Sequence, residues 1–123
     1  MLTLHDYLPS QNGYKVRLLL NHLERPYRTK LVSIFEGEGK SPEFQAINPV
    51  GAVPVLELED GRTLAESNAI LFYLAEGTPY LPLGPWQRAQ VHHFAVVVQE
   101  GMDRILSRSC VAGYVALVVD ARR

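Results

Sequence analysis

The sequence predicts an α/β fold of order β-α-β-α-β-β-α, followed by a short helical appendage. Three observations predict it. Short apolar runs, rather than long ones, recur through the first two thirds of the chain. Between the first two runs, Val16, Leu19, Leu20 and Leu23 fall at i, i+3, i+4 and i+7, the stripe of an amphipathic helix. Later, Asp60-Gly61 parts two more runs in the manner of a tight hairpin.

Taken in order, Leu2 to Asp6 alternates in part and is a strand. Tyr7 to Gly13 is a loop by its Pro, Ser, Asn and Gly content. Ser10 or Asn12 is placed to cap the first helix, and Pro26 stops it. Tyr27 to Ile34 is the second strand. Ser41 caps a second helix, with Pro42 at its first position and Phe44 and Ile47 on one face; Asn48-Pro49 ends it. Val53 to Leu58 and Arg62 to Ala65 are the hairpin strands. Ser67 caps a third helix that buries Ile70, Tyr73 and Leu74 and ends at Gly77-Thr78-Pro79. The stretch from Pro79 to Pro85 holds three prolines and a glycine and reads as a linker. A last helical stripe then runs through Val91, Phe94, Ala95, Val98, Met102, Ile105 and Leu106, despite Gly101. Val111 to Val119 is a final apolar segment, helix or strand.

Bulk properties narrow the function. The 123 residues are 47% hydrophobic and 20% charged, which fits one globular domain with an addition. A net charge of −1 with both signs interspersed gives no footprint for nucleic acid. No apolar run approaches the roughly 20 residues that span a bilayer. Met1 to Asp6 lacks the pattern of a signal peptide. The single cysteine, Cys110, rules out an internal disulfide, so a cytoplasmic setting is expected. Cys110 has no CxxC context, and the adjacent His92 and His93 point to different helix faces, so no metal is expected.

Three runs then carry a resemblance. Asn48-Pro49-Val50-Gly51-Ala52-Val53-Pro54-Val55-Leu56, followed by Leu64-Ala65-Glu66-Ser67-Asn68-Ala69-Ile70, closely resembles the glutathione-binding half of glutathione transferases. The opening Tyr7-Leu8-Pro9-Ser10-Gln11-Asn12-Gly13-Tyr14-Lys15 is similar to the active-site loop of bacterial theta-like and nu-like members. The resemblance covers roughly residues 1 to 91. It implies a thioredoxin-like domain with a four-stranded mixed sheet over residues 1–80, a linker at 81–85, and a truncated C-terminal helical region at 86–123.

The resemblance also assigns roles. An ordinary thiol titrates near 8.5, so activating glutathione takes donors to sulfur and the positive end of a helix. Ser10 and Asn12 supply these at the first helix; on their own residues they equally suit plain caps. Tyr7 is the rival donor. Val53, before a cis Pro54, implies a backbone that pairs with the cysteinyl part of the tripeptide like an added strand. Ser67 suits the γ-glutamyl carboxylate, Glu66 its ammonium, and Lys40 the glycyl carboxylate. Where the family often has Lys, Arg or Gln, this chain has Ala52, so weaker binding is expected. The implied activity is a glutathione transferase whose thiolate, with glutathione as co-substrate, attacks a small electrophile or a disulfide. A non-catalytic glutathione-binding or dimerisation module is the alternative, motivated by the 38 residues after Pro85. A homodimer is expected on either reading, and a truncated or frameshifted tail is the third possibility.

Overall fold

Alternation in the first run decides the sheet. A computed structural model describes residues 1–104 of the chain. In it, β1 (Leu2–Asp6) is a central strand. It pairs in parallel with β2 (Tyr27–Leu31) and antiparallel with β3 (Val55–Glu57). β3 in turn pairs antiparallel with β4 (Thr63–Ala65), giving a four-stranded mixed sheet of order β2-β1-β3-β4. Leu2, Leu4 and Asp6 share one face, and Thr3 and His5 the other.

α1 (Gln11–His22) covers the Leu4 face, since the carboxylate of Asp6 abuts Gly13 in its first turn. Val16, Leu19 and Leu20 are its buried stripe, as the spacing predicted. Ser10 is the cap: its backbone is extended and its Oγ accepts from the Gly13 N–H at 3.2 Å. The helix stops before Pro26, at His22, and Glu24 turns the chain with a φ of 52°. α3 (Ser67–Ala75) lies beside α1, joined where Lys15 Nζ donates to Asn68 Oδ1 at 3.1 Å. Ile70, Leu71, Leu74 and Ala75 are its buried apolar residues. Tyr73 is 46% exposed, which corrects the expectation that it faces inward. The apolar positions of α3 form an almost continuous run, so spacing alone does not choose among them.

The second face has its own small core of Val32, Phe44 and Val55, with Ile34, Ile47, Val53 and Ala65 against it. Here the segments are shorter than predicted. β2 ends at Leu31, and Ile34–Glu36 and Glu38–Lys40 are 3₁₀ turns. α2 is a single turn, Pro42–Gln45, with Ser41 Oγ capping the Phe44 N–H at 3.2 Å. Strand β3 starts at Val55, after Pro54, which has no N–H to give a ladder; the Val53–Pro54 bond is cis. The β3–β4 connection, residues 58–62, is closed by Leu58 N–H to the Arg62 carbonyl at 2.8 Å, with three residues between the pair.

By compactness the chain divides into Met1–Leu74 and Ala75–Arg123. In the second unit, α4 (Pro85–Arg104) is a 20-residue helix. Val91, Ala95 and Val98, spaced by four and three, are buried; Phe94 is half-buried. Arg88 reaches back to the Glu76 carboxylate at 2.7 Å and to the Pro82 carbonyl at 3.3 Å, tying the turn at 76–85 to the helix. The expectations for Ile105, Leu106, Cys110 and Val111 to Val119 lie outside the described residues. Among those described, no helix is long and apolar enough to cross a membrane.

Candidate functional site

Two helix starts and one loop converge on the sheet. Ser10 and Asn12 stand at the start of α1, and Ser67 at the start of α3. Ser67 Oγ lies 3.5 Å from Asn12 Oδ1 and donates to it, so the two starts adjoin. Each carries N–H groups with no partner inside its own helix, and each presents the positive end of its dipole. Ser10 Oγ accepts at its cap, which leaves its hydroxyl hydrogen available to donate. Asn12 accepts through Oδ1, which leaves its amide hydrogens.

The start of α3 is unusual. Ser67 is the first helical residue, not the cap: the Glu66 carbonyl accepts from the Ile70 N–H at 3.0 Å, so Glu66 holds the cap position. Glu66 also has a φ of 70°, a left-handed conformation disfavoured outside glycine. The chain leaves β4 at Ala65 and enters the helix at Ser67, and one left-handed residue makes that reversal. Ser67 is buried and Glu66 exposed.

The loop ahead of Pro54 is built by Asn48, which is 5% exposed. Its Nδ2 donates to the Ala52 carbonyl at 2.8 Å, and its Oδ1 accepts from the Val50 N–H at 3.2 Å. Neither the N–H nor the carbonyl of Val53 makes a hydrogen bond among the described residues. Pro54 is buried beside it. Gly39 and Gly51 touch main chain to main chain; a Cβ on either would run into the other's carbonyl oxygen. That contact puts the exposed Lys40 beside the loop of Val53. Tyr7 sets its ring edge-on to Phe35, centroids 5.3 Å apart, which gives it a packing partner.

Beneath the Ser10 loop sits a pair that sequence reasoning missed. Asp6 is fully buried; its Oδ1 accepts from the Tyr7 N–H at 2.8 Å. Its Oδ2 is bonded by Arg17 Nη1, and Arg17 Nη2 donates to the Leu8 carbonyl at 3.0 Å. Burial pushes the Asp6 carboxyl above its ordinary range, and Arg17 opposes that rise. Opposite charges eleven residues apart carry no signal until the phase of α1 is known. Among the described residues, no group of three or more His, Cys, Asp or Glu could hold a metal ion.

This geometry, a βαβ unit joined to a β-hairpin and helix with anion-ready helix starts, has known counterparts. The model of the glutathione S-transferase N-terminal domain matches residues 9–76. The chain belongs to this family. Its fold is the thioredoxin-like fold of glutathione transferase N-terminal domains. A maleylacetoacetate isomerase of Rhizobium meliloti is 37% identical over 116 residues, covering 92% of this chain and 54% of that protein. The crystal structure of a possible glutathione S-transferase from Rhodopseudomonas palustris is 47% identical, with a TM-score of 0.77, covering 80% of this chain and 48% of that one. A glutathione transferase homologue from Sulfitobacter, solved with bound glutathione, is 28% identical with a TM-score of 0.72, covering 99% of this chain and 65% of that one. The chain thus spans about half the length of the curated relative.

Proposed function

We propose that this transferase-family chain binds glutathione along the Val53 loop and activates its thiol at the start of α1. The observation that carries the proposal is the adjoining of Asn12 and Ser67 at two helix starts, the first of them capped by Ser10, together with a Val53 main chain that no described residue pairs. The tripeptide's cysteinyl N–H and C=O pair with Val53 as an added strand. Ser67 and the start of α3 take the γ-glutamyl carboxylate, Glu66 the ammonium, and Lys40 the glycyl carboxylate. The sulfur then faces Ser10 and Asn12.

The chemistry follows from the donors. A hydroxyl or amide hydrogen bond favours the thiolate over the thiol, and each unit of lowered pKa is worth about 1.4 kcal/mol. Glutathione leaves its proton to solvent, and the sulfur attacks an electrophilic carbon with loss of that carbon's leaving group (halide from an aryl halide), or a disulfide sulfur with loss of the other thiolate. In this reading residues 1–80 hold glutathione and residues 81–85 link them to the C-terminal region at 86–123.

The Rhizobium meliloti relative favours a second reading for the electrophile: a cis double bond conjugated to a carbonyl. The thiolate adds to that double bond and leaves an enolate, the carbon–carbon bond becomes single and rotates, and elimination breaks the carbon–sulfur bond. The thiolate is regenerated and no glutathione is consumed.

Calorimetry of glutathione binding, paired with turnover of an aryl halide, an organic disulfide and a cis-ene carbonyl on one sample, tests both readings. Binding with turnover of any of the three is expected. Thiol consumption separates conjugation from isomerisation. Absence of binding overturns the proposal; binding without any turnover leaves the non-catalytic module.

A further inference from the structure

We infer that Arg17 is a positioning residue for thiol activation: its guanidinium clamps the loop that presents Ser10. The inference rests on the reading that Ser10 meets the glutathione sulfur.

The loop from Tyr7 to Ser10, which follows β1 at Asp6, has no regular secondary structure, yet it is held repeatedly. At its start, the Asp6 carbonyl accepts from the Val32 N–H at 2.8 Å, fixing β1 to the chain beyond β2. The Asp6 side chain accepts from the Tyr7 N–H at 2.8 Å. The Tyr7 carbonyl accepts from the Ser10 N–H at 2.7 Å, closing the turn. The Leu8 carbonyl has no main-chain partner among the described residues and accepts instead from Arg17 Nη2 at 3.0 Å. One guanidinium therefore joins the loop's root, through Asp6, to its tip, through Leu8. Arg17 is rooted in α1, the helix that Ser10 caps, so loop and helix are locked in one register. Tyr14, one turn earlier, lies under the guanidinium with its ring centre 5.9 Å away.

Two other observations favour positioning over a plain ion pair. Gly13 leaves no room for a Cβ because the Asp6 carboxylate fills that space, so the first turn of α1 sits directly on the pair. And the guanidinium uses two nitrogens on two acceptors of different kind, a carboxylate and a carbonyl, which a lysine ammonium on a flexible stem does not hold in one plane. Asp6 alone would be a buried negative charge under a site that must hold a thiolate; Arg17 neutralises it.

The experiment titrates the thiolate absorbance of glutathione bound to the full chain, in wild type, Ser10→Ala, Arg17→Met, Arg17→Lys and Asp6→Asn/Arg17→Met. Wild type and Ser10→Ala define the span. Arg17→Met is expected to cut the thiolate fraction at neutral pH about tenfold, as one unit of pKa requires, with glutathione affinity changed less than about threefold. If positioning is the role, the double variant stays as impaired as Arg17→Met, and Arg17→Lys loses about threefold despite keeping its charge. Full recovery in the double variant, or a wild-type titration in Arg17→Lys, shows a role in charge alone and overturns the inference. Should Arg17→Met not fold, the Arg17→Lys arm decides by itself. No shift in Ser10→Ala overturns the underlying reading instead, and the inference with it. A shift in Ser10→Ala without one in folded Arg17→Met overturns only the inference.

Discussion

The starts of α1 and α3 stand side by side but are built in opposite ways. At α1 the cap is an ordinary one: Ser10 is extended and its side chain accepts the Gly13 N–H. At α3 the cap position is taken by a left-handed glutamate, and the serine sits one place inside the helix. In the first, the side chain's acceptor is used up locally and a donor is left over. In the second, the side chain donates sideways to Asn12 and the backbone N–H groups are left over. One end therefore suits a soft, single-atom anion such as sulfur, and the other a carboxylate that takes several N–H bonds. The difference teaches that helix polarity supplies the attraction at both ends while the cap decides what is attracted.

The comparison breaks most completely if the first turn of α1 is lifted. Gly13→Ala places a methyl in the space of the Asp6 carboxylate and is expected to cost about 3 kcal/mol, read as a lower urea midpoint with unchanged slope. Separating the two ends comes next. Ser10→Ala should lower kcat/KM about a hundredfold while glutathione binds within about threefold of wild type. Ser67→Ala should weaken glutathione about tenfold by calorimetry and leave the bound thiol's titration where it was. Equal effects of both on affinity would dissolve the distinction. A smaller effect sharpens it: Glu66→Gly relieves the left-handed backbone and should raise stability by about 1 kcal/mol, while glutathione binds more weakly for want of the carboxylate. Stability and affinity moving in the same direction would count against a ligand role for Glu66.

The smallest effect is one of pH. Burial raises the Asp6 carboxyl above 3.8, so the folded chain holds that proton more tightly than the unfolded one. Its contribution therefore favours folding below the unfolded value and declines as pH rises through the higher native value, then levels. Asp6→Asn should flatten that segment of the stability–pH curve. Arg17 offsets part of the rise.

Much of this was legible before any coordinates. The stripe of α1, its cap at Ser10 or Asn12, the Ser41 cap and the hairpin follow from local rules, because each depends on residues close in sequence, whereas the mixed sheet was implied only by the family resemblance. Of the candidate site, Ser10, Asn12 and Ser67 were named from the sequence, and the fold brings all three together. What was not legible depends on tertiary placement. Tyr73 is a large apolar residue in an apolar helix, and only the packing of neighbours leaves it outward. Ser67 has the chemistry of a cap, and nothing in Glu66 announces that it will take the left-handed place. Asn48 reads as the end of a helix, yet its side chain shapes the loop two and four residues further on. Arg17 lies on the helix face away from its main stripe and reveals its partner only when β1 is laid beneath it.

Gly39 and Gly51 meet with no side chain between them. The gap between Lys40 and Val53 is therefore a fixed caliper made of peptide units, insensitive to which side chains decorate either loop. If the tripeptide binds as proposed, Lys40 and Ala52 can vary in charge and bulk without altering the length of extended peptide that fits, whereas a single added carbon at either glycine would part the two loops and change that length.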